Sequence, residues 1–182
     1  MRKRLLAAGL TGLALVAGLA TPAQAADTGT TTVTFTVTGA GGLDITVPAN
    51  VNLGSGTAGA TVSGQLGPVT VIDQRASLTP NWVATVSGSD FTTGGATSEE
   101  TIPSINVTYW SGPATSTAGT GTFTPGQPTA GDAVIINVPR TAFSHTGGTG
   151  SNFAIWNPTV SVAIPSAAVG GTYTGTVTHS VL

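Results

Sequence analysis

Three tryptophans, Trp82, Trp110 and Trp156, are the side chains of this sequence best suited to recognition chemistry. Aromatic faces pack against the C–H faces of sugars, and aromatic anchors carry much of the binding energy of a typical interface. Trp82 shares one face of its predicted strand with apolar residues, which favours a place in the core. Trp110 directly follows Tyr109, so in a regular strand it points to the opposite face. For Trp110 and Trp156, exposure to a partner and burial in the core both remain open.

Asp73 and Arg75 stand two residues apart in a strand-like stretch, which places both side chains on one face. An exposed ion pair of this kind contributes only about 0.2–1 kcal/mol, whereas breaking a covered pair costs several times more. We therefore expect these two residues to form a structural ion pair.

The residues that could perform catalysis are few and scattered. Ser144 and His145 are adjacent, and adjacent side chains of an extended chain point apart, so they do not form a nucleophile and its base. The second histidine, His179, has no partner indicated by the sequence. No loop has the regular Asp and Asn spacing of a calcium site, and the chain contains no cysteine. The sequence predicts a protein that is not an enzyme and holds no metal or cofactor. A secreted hydrolase, with a histidine held against an acid, is the competing catalytic hypothesis.

Residues 1–25 predict export from the cell. They begin with a basic cluster, continue with an apolar run over 5–19 and end with Ala-Gln-Ala at 23–25. This is the organisation of a secretory signal peptide with small residues at its cleavage site. The apolar run is about 15 residues long, shorter than the roughly 20 of a membrane-spanning helix, so no membrane association is expected after cleavage. We expect residues 26–182 to be secreted, extracellular or associated with the cell wall.

After cleavage only Arg75 and Arg140 remain as basic residues, against seven acidic ones, which gives a net charge of −5. Nucleic-acid binding depends on lysine and arginine displacing counterions from phosphates, so a nucleic-acid partner is excluded. The absence of cysteine means that stability depends on packing and backbone pairing rather than on disulfides. A partner must be bound through hydrogen bonds and aromatic surfaces.

Alternation of apolar and polar residues with a period of two recurs along the chain and predicts β-strands. The stretches that show it are 32–38, 43–47, 82–86, 105–109, 160–164 and 173–177. Residues 133–138 are almost continuously apolar, as expected of a central strand. Turns rich in glycine and proline separate these stretches, and no segment after the signal peptide shows helical spacing. The pattern predicts one all-β domain over 26–182, an antiparallel β-sandwich of two packed sheets with Greek-key connections.

Two stretches, taken together, resemble a known family. Asp-Gln-Arg at 73–75 is followed by Asn-Trp-Val-Ala-Thr-Val at 81–86 and by Asp-Phe at 90–91. This order resembles the first signature of the WxL cell-wall-binding domain family of Gram-positive bacteria, in which Asp-x-Arg precedes Trp-x-Leu. The stretch 171–178 resembles the strand that leads into the family's second Trp-x-Leu.

The chain departs from that family at both motifs. Ala84 stands in place of the first leucine, while His179 and Val181 stand in place of the second tryptophan and leucine. His179 falls on the same strand face as Tyr173, where its imidazole could donate the hydrogen bond that an indole would have donated. The resemblance implies a β-rich fold that binds peptidoglycan noncovalently, with Trp82 as the motif residue that carries over.

The sequence therefore predicts a secreted, non-enzymatic β-sandwich that associates noncovalently with peptidoglycan or another cell-wall glycan. The candidate binding residues are Trp82, Trp110, Trp156 and His179. The alternative is a structural subunit that pairs strands with copies of itself or with other surface proteins. That alternative is favoured by the Thr-rich strands near both ends, which lack the lysines that block edge association.

Overall fold

The computed structural model describes residues 30–95 and 97–182. The predicted signal peptide, residues 1–25, lies outside the described residues. The chain divides into two compact units, Met1–Thr36 and Val37–Leu182. In the first unit, the described residues 30–36 contain no regular secondary structure and are exposed.

The second unit contains every strand of the described chain, fourteen in number, together with two short 3₁₀ turns. The strands are β1 Leu43–Thr46, β2 Thr61–Gln65, β3 Val69–Ser77, β4 Trp82–Gly88, β5 Phe91–Thr92, β6 Thr101–Ile102, β7 Val107–Trp110, β8 Ala114–Ala118, β9 Thr122–Pro125, β10 Val134–Ile135, β11 Arg140–Thr146, β12 Gly150–Trp156, β13 Thr159–Ala163 and β14 Val177–Val181. The 3₁₀ turns cover Ser104–Asn106 and Ala130–Asp132. Within residues 30–95 and 97–182, no helix is long and apolar enough to cross a membrane.

Twelve of the strands form three four-stranded sheets. Sheet A has the order β1-β3-β12-β8, sheet B the order β10-β7-β13-β2 and sheet C the order β14-β4-β11-β9, while β5 and β6 form a two-stranded ribbon. The pairings are antiparallel, and no two neighbours within a four-stranded sheet are consecutive in the chain. Connections such as β3 to β4 and β11 to β12 pass from one sheet to another. The predicted all-β, antiparallel, sandwich-like fold is confirmed, with its strands grouped in three sheets and a ribbon rather than in two sheets.

Ile136 shows why the apolar stretch 133–138 is not the central strand that its composition predicts. Only Val134–Ile135 pair as β10, at the edge of sheet B. The Ile136 N–H then donates to the Val107 carbonyl in sheet B at 3.1 Å, and the Ile136 carbonyl accepts from the Gly88 N–H in sheet C at 2.6 Å. Ile136 is the one buried residue of this stretch, and its backbone joins the two sheets.

Two other predicted strands differ in the structure. Residues 32–38 form no strand. The last strand covers Val177–Val181 instead of 173–177. Gly175 lies against the ring of Phe91, where an added Cβ would come within 2.7 Å of the ring. This close approach holds the stretch against β5, so the regular strand begins only after it.

The core lies where the apolar faces of the three sheets meet. Buried positions alternate along the strands, as the period of two requires, for example Val69 and Val71 of β3. The buried hydrophobic residues are Val69, Val71, Trp82, Ala84, Val86, Ile102, Val107, Tyr109, Ile136, Ala142, Phe143, Ala154, Trp156, Val160 and Val162. Aromatic rings stack at the centre, where the centroids of Phe143 and Trp156 are 4.9 Å apart.

Candidate functional site

The structure places the three tryptophans in different environments. The side chains of Trp82 and Trp156 are buried, 1% and 0% exposed, because each occupies an inward position of its strand. Neither offers a ring face to a wall polymer, and this burial removes both from the candidate binding residues. Trp110 lies on β7 beside the buried Tyr109 and is partly exposed. Of the three tryptophans predicted as binding residues, Trp110 is the one that a ligand can contact.

Trp110 belongs to a hydroxyl-rich surface that we call the outer face of sheet B. The register of β7 with β13 places Trp110 opposite Thr159, and Thr159 in turn lies opposite Gln65 of β2. The alternate residues of these strands, such as Val160, point into the core. The outer face of sheet B comprises Thr61, Ser63, Gln65, Thr108, Trp110, Ile135, Thr159, Ser161 and Ala163.

Hydroxyl groups dominate the outer face of sheet B, and none of its residues is charged. Ser63 Oγ lies 2.8 Å from Ser161 Oγ, and Thr108 Oγ1 donates to the Ser161 carbonyl at 3.5 Å. At the rim, Arg140 Nε donates to the Ile135 carbonyl at 3.1 Å. An aromatic ring flanked by hydroxyl and amide groups can pack on a sugar ring and hydrogen-bond its hydroxyls.

Asp73 and Arg75 form an ion pair at the end of a buried chain of hydrogen bonds. The Arg75 guanidinium donates to both carboxylate oxygens, from Nε at 2.8 Å and from Nη2 at 2.7 Å. These hydrogen bonds hold the pKa of Asp73 below its usual value. The Trp82 indole N–H donates to Asn152 Oδ1 at 2.8 Å, and Asn152 Nδ2 donates to Asp73 Oδ2 at 3.4 Å. We call these four residues the Trp82 network. Its hydrogen bonds give the Asp73–Arg75 ion pair a structural role.

A second buried chain of hydrogen bonds joins all three sheets. Trp156 of sheet A donates its indole N–H to the Tyr109 hydroxyl of sheet B at 3.0 Å. The same hydroxyl lies 3.2 Å from Nε2 of His179, which belongs to sheet C. We call these three residues the Trp156 network. The two residues of the first hydrogen bond are 47 positions apart in the chain, and those of the second are 70 apart. No local sequence pattern therefore predicts this network.

The Trp156 network defines which way its protons point. Burial lowers the pKa of His179 to about 4, so the imidazole is neutral near pH 7. Burial likewise raises the pKa of Tyr109 and keeps its hydroxyl protonated. The hydroxyl oxygen accepts from Trp156, and its own hydrogen is then available to His179 Nε2. The Trp156 indole and the Tyr109 hydroxyl both have partners when His179 accepts this hydrogen bond, the reverse of the donor role expected from the sequence.

His145 is a structural residue of the core. Its Nδ1 lies 2.7 Å from the Pro80 carbonyl and its Nε2 lies 2.9 Å from the Thr120 carbonyl. The ring also stacks on Trp82, with centroids 5.9 Å apart. Both ring nitrogens therefore face backbone oxygens, and neither is left to activate Ser144.

Acidic partners for the two histidines are also missing from the described part of the chain. Neither His145 nor His179 forms a salt bridge there, and their ring nitrogens contact carbonyl and hydroxyl oxygens. Across residues 30–95 and 97–182, no three His, Cys, Asp or Glu side chains come together as metal ligands.

A cleft of about 820 Å³ opens between the inner face of sheet B and two irregular segments. Its walls are formed by Val62, Val160 and Val162 of sheet B, by residues 47–56 and by residues 171–177. His179 also lines it, and no Asp, Glu, Lys or Arg does. We call this the inner cleft. The sequence does not indicate this cleft, because one of its walls, residues 171–177, largely coincides with a predicted strand.

The chain matches no protein-family model and no curated protein.

Proposed function

We propose that this protein is a secreted, non-enzymatic surface protein that associates noncovalently with a cell-wall glycan such as peptidoglycan. The binding surface is the outer face of sheet B. The observation that carries the proposal is Trp110, a partly exposed indole set among rows of uncharged hydroxyl and amide groups. The proposal also includes membership of a divergent branch of the WxL-like proteins, supported by the Asp-Gln-Arg and Trp-Val-Ala motifs at 73–75 and 82–84.

A glycan fits the chemistry of this face better than a charged ligand does. Each sugar ring offers a C–H face for Trp110 and hydroxyls for residues such as Thr159 and Gln65. Because the mature chain carries a net charge of −5, long-range electrostatic attraction to an anionic wall is unfavourable. Association through packing and hydrogen bonds between uncharged groups should depend little on salt.

A non-enzymatic role is supported by the hydrogen bonds that already engage the side chains capable of acid–base catalysis. His145 has both nitrogens directed at backbone carbonyls, and His179 is engaged with Tyr109. Asp73 is committed to Arg75 and Asn152. These groups are used to hold the sheets together, which leaves them unsuited to activating a nucleophile.

Sedimentation of the mature protein with purified peptidoglycan tests the proposal. The protein should pellet with the glycan at both low and high salt, and Trp110→Ala should weaken binding about tenfold, as expected when an aromatic anchor is truncated. Leu78→Ala is the matched control, because Leu78 is a large exposed apolar residue that lies outside sheet B. Thermal melting of both variants checks that they remain folded.

Two results would contradict the proposal. The wild-type protein could stay in the supernatant at every salt concentration, or Trp110→Ala could bind as well as Leu78→Ala. Binding that disappears at high salt would also count against it, since the outer face of sheet B has no charge of its own.

A second candidate function, self-association by strand pairing, is favoured by a different observation. Residues 32–38 keep the alternating pattern of a strand but form none, and their apolar side chains are exposed. Such a segment can complete its backbone hydrogen bonds by adding to another protein.

A further inference from the structure

The inner cleft gathers apolar side chains that are neither fully buried nor fully exposed. The cleft lies within the unit Val37–Leu182. Val160 and Val162 are already covered, so they offer a ligand no free surface. The apolar side chains of the cleft that remain partly exposed are Leu53, Val62, Leu66, Phe91, Ile164 and Val177. Single apolar residues on a surface need no explanation, but a set that lines one concave site is typical of a binding site.

The size and the charge of the inner cleft define what it can hold. Its volume of about 820 Å³ lies in the range of small-molecule sites, roughly 300–1,000 Å³. No Asp, Glu, Lys or Arg lines it, so an ionic ligand would lose its hydration and gain no opposite charge. The occupant that suits these walls is therefore an uncharged, mainly apolar molecule.

His179 supplies a hydrogen-bond donor to the inner cleft. Its Nε2 accepts the Tyr109 hydroxyl, so the neutral imidazole carries its own hydrogen on Nδ1. Nδ1 has no hydrogen-bond partner within residues 30–95 and 97–182. It is not sealed in the core, because the buried side-chain atom that lacks a partner in this part of the chain is Gln127 Oε1. Since His179 lines the inner cleft, its Nδ1 hydrogen is available to a ligand there.

The ring of His179 is held in one orientation before any ligand binds. The register of β14 with β4 places His179 opposite Val86. Its ring lies edge-on to the ring of Tyr109, with centroids 5.6 Å apart, and to that of Trp156, with centroids 6.4 Å apart. A donor that is already positioned loses little conformational freedom on binding, which favours recognition of an acceptor.

We propose that the inner cleft binds a small, uncharged, mainly apolar molecule that carries a hydrogen-bond acceptor such as a ketone or an ester. The apolar part packs against Leu53, Phe91 and Ile164, and the acceptor receives the Nδ1 hydrogen of His179. This site goes beyond glycan binding, which uses the outer face of sheet B, and the two proposals are independent.

Prodan is a suitable probe, because it is an uncharged naphthalene ketone whose fluorescence shifts to shorter wavelengths when it leaves water. Titration of the mature protein with prodan near neutral pH should give saturable binding with a Kd on the order of 10–100 µM, as expected for a ligand of this size. Anilinonaphthalene sulfonate has a similar ring system but is anionic. It should bind about tenfold more weakly or worse, because the inner cleft offers no cation.

Two matched variants locate the bound probe. Val51 lines the inner cleft and Val138 does not, yet their side chains are similarly exposed, 47% and 46%. Val51→Asp places a charge in the wall of the cleft and should weaken prodan binding about tenfold or more. Val138→Asp introduces the same charge elsewhere and should bind prodan like the wild type. Thermal melting checks that both variants are folded.

The hydrogen bond from His179 can be observed without any substitution. The chain contains two histidines, and both ring nitrogens of His145 face backbone carbonyls. In NMR spectra of the wild-type protein, saturation with prodan should shift the Nδ1 signal of His179 and leave the signals of His145 unchanged. An analogue with a propyl chain in place of the ketone should shift the His179 signal less, because it offers no acceptor.

The proposal is overturned if prodan does not bind saturably, if Val51→Asp binds it as well as Val138→Asp, or if prodan and its propyl analogue affect His179 equally. These outcomes are separate from those of the glycan proposal. Trp110→Ala should weaken pelleting with peptidoglycan and leave the Kd for prodan unchanged, whereas Val51→Asp should do the opposite.

Discussion

The Trp82 network and the Trp156 network both provide a buried indole with a hydrogen-bond acceptor, but they end in different groups. Each begins with a buried indole whose N–H needs an acceptor, and each finds that acceptor on another strand. The Trp82 network ends in an ion pair whose arginine is 37% exposed. The Trp156 network ends in a neutral imidazole that lines the inner cleft.

The difference shows how the last member of a buried chain of hydrogen bonds affects its surroundings. A carboxylate paired with a guanidinium is held by several charge-assisted hydrogen bonds, which favour a single closed arrangement. A neutral imidazole makes one hydrogen bond in the Trp156 network and changes its role when it gains a proton. We therefore expect the Trp82 network to contribute more stability and the Trp156 network to be more sensitive to pH.

The largest expected effect is the loss of Asp73. Asp73→Ala removes the acceptor of Arg75 Nε and Asn152 Nδ2, while Arg75 Nη2 keeps its hydrogen bond to the Asn81 carbonyl at 2.9 Å. Breaking a fully buried pair costs about 3–5 kcal/mol, and because Arg75 remains partly hydrated we expect about 2–3 kcal/mol. Urea denaturation measures this loss. Asp44→Ala on the neighbouring strand β1 is the control, since Asp44 is exposed and should change stability little.

An Asp73→Ala variant as stable as Asp44→Ala would contradict the expectation that the Trp82 network contributes more stability than the Trp156 network. It would mean that Trp82 and Asn152 hold their positions without the carboxylate.

The next effect is the pH dependence of the Trp156 network. The folded protein holds the pKa of His179 at about 4, below the unfolded value of about 6.5, so the unfolded chain binds more protons between these values. Stability should therefore fall as pH decreases from about 6.5 to about 4, by about 2 kcal/mol. Urea denaturation at several pH values measures the slope.

His179→Gln is the matched control for the pH experiment because glutamine does not titrate. Its slope in this window should be flat by comparison. Asp73 contributes in a different window, because its folded pKa is lowered and its stabilisation is lost only as pH falls below about 4. Equal slopes for the wild type and His179→Gln would show that the imidazole is not the group that titrates.

The smallest effect is expected for Tyr109→Phe. The substitution keeps the ring but removes the hydroxyl, which leaves the Trp156 indole N–H without its acceptor. An unsatisfied buried donor costs about 1–3 kcal/mol, and we expect a value near the lower end because the ring packing is retained. Tyr173→Phe is the comparison, since that hydroxyl bonds to the carbonyls of Glu99 and Val169 at the surface and should matter less. The two variants having the same stability would contradict a structural role for the Trp156 network.

Much of the strand content could be predicted from local pattern. The period of two marked β1, β4, β7 and β13, because a strand with one buried face must alternate. The same reasoning placed Trp82 in the core and Trp110 on the other side of its strand from Tyr109. It failed for 32–38, where alternation is present but the structure forms no strand.

The candidate site could be predicted only in part. Trp110 was named from the sequence, yet its hydroxyl neighbours come from β2 and β13, which lie far from it in the chain. Asn152 was not singled out at all, because its partner Trp82 is 70 residues away. A lone asparagine in a polar stretch gives no signal of such a contact.

The class of fold and the scarcity of charged residues follow from the sequence alone, because alternation and composition are local properties. The three-dimensional fold sets which tryptophan stays accessible, which residues end the two buried networks and where the inner cleft opens. These features depend on strands that are distant in the chain but adjacent in space. Pairing between such strands is set by the packing of the whole unit, and no short stretch of sequence encodes it.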